Sequence, residues 1–299
     1  MRDTMQDPVH TVTADPTYQS RTFAYRDRST EIARLAIDSL HSELKLAPKP
    51  GLVTPFDNGS HHDMTAQTFL RSLFALRHYF KKIAAAGAAH ADFATLRQLG
   101  IEAEQVMLIA TGGINTHRGA IFTLGLLSAT IGAMTSLQPV TAVAIQQSLQ
   151  RHWGSALQRH AAACNGDSHG LVVARRYALD GAREQAAQGF PAVFEIGLPQ
   201  LQASLRAGRG WRAACIDCLF ALMAQLSDSN VAHRGGLAGA QTVRRLAADF
   251  MQAGGTAADD WELRATACGK QFTAANLSPG GAADLLAATM LVYRSVHGQ

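Results

Sequence analysis

The sequence predicts an all-α protein: one compact multi-helix domain with an active site formed by converging helix ends and Gly-rich loops. Three observations carry that expectation. Apolar residues recur at helical spacing almost throughout, and Leu171-Val172-Val173 is the one compact β-branched run. Glycine and ionisable residues gather in short islands between the helical stretches.

Residues 1–28 carry Asp, Thr, Arg and Pro without apolar periodicity and read as a loose N-terminal tail, leaving 29–299 as the helical domain. Ile32, Leu35, Ala36, Leu40 and Leu44 then share one helix face. Phe69, Leu73, Leu76, Phe80 and Ile83 repeat the pattern, and Phe93, Leu96, Leu99 and Val106 continue it. Further helices are predicted near 117–136, 140–163, 168–178, 193–206, 211–226, 235–253, 257–275 and 279–296. Ser278-Pro279 reads as the start of the last one, with Ser as cap and Pro at the first position. From Gly119 to Gln150 no residue is charged. Thr123, Ser128, Thr130, Thr135, Ser136 and the Gln138-Pro139 break argue for a buried central helix rather than a membrane span.

Composition narrows the function classes. The chain has 299 residues, 47% hydrophobic and 17% charged, enough to bury a core without staples. Its net charge is +4, from 22 Arg and 5 Lys against 23 acids, without the basic stripes of a nucleic-acid binder. Arg grips phosphate through a planar fork, so the bias fits anionic ligands as well as a GC-rich genome. Cys164, Cys215, Cys218 and Cys268 include a lone C-x-x-C within a helical pattern, which reads as reduced core thiols. No signal peptide opens the chain, and a cytoplasmic protein is expected.

The islands run Pro48–Gly51, Asn58–Asp63, Thr111–Gly119, Asn165–Gly170, Gly181–Arg183, Asp228–Asn230 with His233–Gly236, and Asn276–Gly281. One such island is ordinary helix punctuation. Several together, most bearing His, Arg, Lys or Asp, describe a polyanion site, because helix N-termini attract anions and Gly admits close approach. Neither G-x-x-x-x-G-K-[ST] nor H-E-x-x-H occurs, and no G-x-G-x-x-G follows a strand. His61-His62-Asp63 resembles the H-D pair of helical metal-dependent phosphohydrolases, a second reading; a non-catalytic helical interaction protein is a third.

In order along the chain, these strings resemble the triphosphoribosyl-dephospho-CoA synthase family, from about Glu43 to Leu286. The most specific is Thr111-Gly112-Gly113-Ile114-Asn115-Thr116-His117-Arg118-Gly119-Ala120. Thr54, Ser229 and Gln185 depart from the pattern. The Gly59-Ser60-His61 form and the Phe69–Phe80 helix look more like the malonate decarboxylase branch than the citrate lyase branch.

The resemblance implies joining of ATP to 3′-dephospho-CoA. The 2′-hydroxyl of the acceptor ribose attacks C1′ of the ATP ribose, and adenine leaves while the triphosphate stays on the transferred sugar. A downstream phosphoribosyl-dephospho-CoA transferase and an acyl carrier protein would act on the product. Such a glycosyl transfer needs a triphosphate clamp, a base for the hydroxyl and hydrogen bonding to the departing base. On this reading Lys49, Asn115, His117, Arg118, His169, Arg183 and Arg234 contact substrate. Glu43, Asp63 and Asp228 serve Mg²⁺; Asp63 and Asp228 are also candidate bases, and His61 a catalytic proton carrier. Asp284 is either a metal ligand or a favourable charge near a helix start. The size and composition also allow a homodimer.

Overall fold

The computed structural model describes residues 16–134, 139–162 and 181–298, with side chains from residue 28 onward. Cys164, His169, Leu171-Val172-Val173 and the helix expected at 168–178 lie outside the described residues. Eleven α-helices and no strand occur among the described residues, in a single compact domain.

Helix α1 spans Pro16–Lys45, so it begins inside the segment read as a tail. Pro16 suits the first turn, where its missing N–H is not needed, and no helix breaker follows before Lys45. Ile32, Leu35, Ala36, Leu40 and Leu44 are all buried, as their spacing predicts. Helices α2 (Ala66–Ala88) and α3 (Phe93–Thr111) form a hairpin whose starts are capped by the Thr65 and Asp92 side chains. On α3 the core face runs Leu96, Ala103, Met107, which puts Val106 outside it, 46% exposed.

The uncharged stretch is the centre of the fold. Helix α4 (Arg118–Ala133) buries every residue from Ala120 to Ala133 except partly buried Phe122. Each fully buried Leu or Ile there contributes roughly 1.5–3 kcal/mol. Its thirteen buried residues are enclosed by α1, α2, α3, α5 (Ala142–Ala162) and the last helix, Gly280–His297. Helices α2 and α4 touch backbone to backbone: a Cβ on Gly87 would stand 1.9 Å from Ala129 O, and one on Gly132 2.2 Å from Ala84 O. No helix among the described residues is long and apolar enough to cross a membrane.

Helix α6 (Ala182–Ala187) leads into a π-helical turn at Ala192–Gly197 and then α7 (Leu198–Arg206). The widened turn falls just before Pro199, which has no N–H to continue the ladder. Helix α8 (Gly210–Gln225) is the second buried hub, with Ala214 to Met223 enclosed. Helix α9 (Ser229–Gln252) starts six residues before the predicted 235 and breaks at Gly236, whose φ of 62° only a glycine adopts cheaply. A short 3₁₀ turn (Gly255–Ala257) precedes α10 (Trp261–Ala274), and α11 (Gly280–His297) packs against both hubs. Cys215, Cys218 and Cys268 are buried free thiols, with burial pushing the pKa of Cys215 up to about 12.

Candidate active site

The C-terminal ends of α1 and α3 meet the N-terminal ends of α4, α9 and α11 around one large cavity of about 1120 Å³. That exceeds the usual range of about 300–1,000 Å³ for a drug-sized ligand. The long apolar helices create the convergence: burying α4, α8 and α11 sets the starts of α4 and α11 beside the end of α8, from which α9 begins.

The loop after α1 forms one wall. Lys49 and Glu43 are both buried and paired, Nζ to Oε1 at 2.5 Å. Burial lowers the Lys49 pKa, opposed by the Glu43 charge. Ser60 Oγ donates to Leu277 O, fastening this loop to the one before α11. His61 joins the same seam. Its Nε2 lies 2.8 Å from Ser278 Oγ, and its Nδ1 lies 3.0 Å from Arg234 Nη2. Since Arg234 can only donate, Nδ1 accepts and the proton sits on Nε2. Burial, then the Arg234 charge, pulls the His61 pKa down to about 4. Arg234 also donates to Ser60 O and Asn276 Oδ1.

The 111–119 loop forms the next wall. Asn115 Oδ1 accepts the Arg118 N–H and so serves the start of α4. Arg118 is half-exposed and reaches Glu104 at 2.9 Å. His117 is buried, with Nδ1 2.7 Å from Ser72 Oγ, its backbone N–H on Met107 Sδ and the Phe69 ring 4.9 Å away edge-on. Its Nε2 is buried without a partner. Burial and then the Lys49 charge push its pKa down to about 3, so the ring is neutral.

Two acids define the floor. Asp228 caps α9 through Asn230 N and, from 54 residues away, accepts Ala282 N at the start of α11. Ser278 does not cap α11, contrary to the sequence expectation; its hydroxyl is turned to His61 while Asp228 serves the helix. Asp284 lies opposite Gly119, where a Cβ would stand 2.0 Å from its Oδ2. No hydrogen bond or ion pair holds Asp284 among the described residues. Burial, then the Glu43 and Asp228 charges, raises its pKa well above the usual carboxylate range. Asp63 is 61% exposed and 3.9 Å from His61 Nδ1.

The far end is aromatic and basic. The His160 ring packs 5.2 Å from Phe93 and 6.3 Å from Phe122, with Arg97 and Arg183 near enough to lower the His160 pKa after burial does. Glu184 accepts Gly181 N and Gln185 accepts Ala192 N, so both act locally as turn and helix supports.

The cavity thus gathers Glu43, Lys49, His61, Asp63, Asn115, His117, Arg118, Arg183, Asp228 and Arg234 from the sequence-predicted set; His169 lies outside the described residues. Lys49 and Arg234 are engaged by protein acceptors; Arg118, half-exposed and held by Glu104 through Nε, and Arg183 also line the cavity. Both ring nitrogens of His61 are taken, which leaves neither open for the metal of an H-D phosphohydrolase site. Among the described residues no three His, Cys, Asp or Glu side chains are grouped to hold a metal. Sequence reasoning missed Ser72, Arg97, Phe122 and His160 as site residues. Ser72, a hydroxyl beside the apolar face of α2, is a weak signal; the aromatic end has none, because it is assembled from α3, α4 and α5.

A helical protein with arginines, neutral histidines and carboxylates around a large cavity at converging helix N-termini is built to act on an anionic substrate. The sequence model of the ATP:dephospho-CoA triphosphoribosyl transferase family matches residues 29–299, and the chain belongs to that family. Among curated relatives, a probable 2-(5''-triphosphoribosyl)-3'-dephosphocoenzyme-A synthase of Acinetobacter calcoaceticus is 37% identical over 286 residues, 94% of this chain and 97% of that protein. Proteins of the same description from Stutzerimonas stutzeri (strain A1501) and Pseudomonas putida are each 42% identical, covering 88% of this chain and 91% and 94% of theirs. No solved structure gives a significant match.

Proposed function

We propose that this chain transfers the triphosphoribosyl group of ATP to the 2′-hydroxyl of 3′-dephospho-CoA, releasing adenine. The observation that carries the reading is the meeting of the family-like islands, more than 200 residues apart in sequence, around one cavity. Arg118 and Arg183 contact the triphosphate, aided by the N-termini of α4, α9 and α11. Lys49, sealed against Glu43, adds positive potential behind them, and Arg234 holds His61 and the two loops in place. Asp284 takes the proton of the attacking hydroxyl: it is a cavity acid that no protein donor holds, and a raised proton affinity suits a general base.

The carboxylates fit Mg²⁺ in the manner usual for that ion, one or two oxygens beside substrate phosphates. Asp63 and the second oxygen of Glu43 have lone pairs to offer, whereas the lone pairs of Asp228 are occupied by helix N–H groups. When bound, the ion would neutralise triphosphate charge. We place the reaction in the cytoplasm, where ATP is available and the buried thiols stay reduced. The product would serve malonate decarboxylase rather than citrate lyase, on the Gly59-Ser60-His61 pattern.

Incubating the purified chain with ATP, Mg²⁺ and dephospho-CoA should release free adenine and yield a product larger than dephospho-CoA by the triphosphoribosyl mass. Phosphate release with adenine still on the nucleotide would overturn the reading. Restoring malonate decarboxylase, but not citrate lyase, in hosts lacking their own synthase would test the branch.

A further inference from the structure

Five hydroxyls inside helices of this protein share one habit. Ser39, Thr111, Thr130, Thr289 and Ser295 each donate to the carbonyl four residues back. Ser72, fully buried within α2, breaks it. Its Oγ makes one contact, 2.7 Å from His117 Nδ1, and none to the Thr68 carbonyl. A hydroxyl proton sealed from water needs an acceptor, and Nδ1 is the acceptor within reach. The bond therefore runs from Ser72 O–H to Nδ1, which places the imidazole hydrogen on Nε2.

The ring has little freedom to choose otherwise. Phe69 packs edge-on against it, and Met107 Sδ holds the His117 backbone N–H. The ammonium of Lys49 is the charge that faces it, and it opposes a second proton on the ring. What remains is an Nε2–H that is buried, has no acceptor in the protein and belongs to a residue lining the cavity.

We infer that Ser72 is a positioning residue that fixes His117 as the Nε2–H tautomer, a neutral hydrogen-bond donor reserved for an acceptor atom of the bound nucleotide. The inference deepens the transferase reading and rests on it for the nature of the ligand. Two acceptors on ATP have the right chemistry, a phosphate oxygen and a ring nitrogen of adenine. A neutral donor suits either: it stabilises charge on the oxygen, or on the base as the C1′–N9 bond breaks, without having to lose a proton first.

Long-range ¹H–¹⁵N correlation of the histidine-labelled full chain at neutral pH reads the tautomer directly and needs no activity. The expected spectrum has a pyridine-like Nδ1 and a pyrrole-like Nε2 for His117. The reverse pattern overturns the inference whether or not the protein releases adenine. Absence of adenine release from the unaltered chain sinks the transferase reading and leaves the tautomer result standing.

Ser72→Ala should mix the tautomers and lower kcat for adenine release roughly 10- to 100-fold, the scale for losing a group that orients a histidine, with KM for ATP nearly unchanged. Ser72→Thr, which keeps the hydroxyl, should restore both. An unchanged spectrum and kcat in Ser72→Ala overturns the assignment. Added ATP should shift the Nε2 proton downfield. Tripolyphosphate reproducing that shift identifies the phosphate oxygen, adenine reproducing it identifies the base, and no shift with ATP removes the substrate contact.

Discussion

Two acids, one enclosed in the packing of α8 and one turned to the cavity, show how differently the same side chain is used. Asp217, on the inner face of α8, is wholly enclosed and fully satisfied. It accepts from Ser204 Oγ, Arg209 Nη1, Thr256 N and Thr256 Oγ1, tying α7, α8 and the 3₁₀ turn together. Asp284, on α11, faces the cavity with no protein donor and with Glu43 and Asp228 raising its proton affinity. A satisfied buried charge holds a fold, while an unsatisfied one is tolerated only where a ligand completes it.

That contrast is open to attack in order of expected size. Asp217→Ala should cost about 3–5 kcal/mol of unfolding free energy, because it strands Arg209 and two hydroxyls. Urea titration checks it, and adenine release per folded molecule should be unaltered. Asp284→Asn should do the opposite. Adenine release should fall by about 100-fold or more, while the melting temperature holds or rises as like-charge repulsion is relieved. A large stability loss in this variant would place Asp284 with Asp217 as a structural acid.

Gly119→Ala sharpens the same point, since its methyl would collide with the Asp284 carboxylate. Roughly tenfold slower adenine release is expected, the scale of a small misplacement of a reacting group, and Gly119→Ser should be no better. The last effect concerns pH. His117 is neutral in the fold, with a pKa near 3 against the usual 6.5 of the unfolded chain. Between those values the unfolded chain binds the extra proton, so this contribution is intact above pH 6.5 and is lost as pH falls toward 3. The slope is at most one proton, about 1.4 kcal/mol per pH unit. Denaturation at several pH values should show a shallower decline in His117→Gln than in the unaltered chain.

Much of this architecture is legible before any coordinates. The charge-free run from Gly119 identifies α4 as the central helix, and the spacing of Leu73, Leu76, Phe80 and Ile83 gives the buried face of α2. The islands mark the helix ends that meet at the cavity. What stayed hidden is tertiary. Local spacing assigns Ser278 to the cap of α11, but Asp228, brought from α9, wins that place and frees the hydroxyl for His61. Polar residues between Pro16 and Arg28 conceal the first turns of α1, because a helix without an apolar stripe has no period to read. Arg234 carries the charge expected of a phosphate clamp, but only the fold discloses that its donors are already committed to Ser60, His61 and Asn276.

The backbone-to-backbone seam at Gly87 and Gly132 has a meaning beyond close packing. Helices α2 and α4 run side by side in the same direction from the cavity, with Ser72 and His117 at one end and the two glycines at the other. The pair behaves as two rods clamped at the tail, so the clamp sets the clearance at the tip. A methyl group inserted there would act as a wedge, and the gap it opens would be felt between a hydroxyl and an imidazole several turns away. Two residues with no chemistry of their own thus set the machining tolerance of the site.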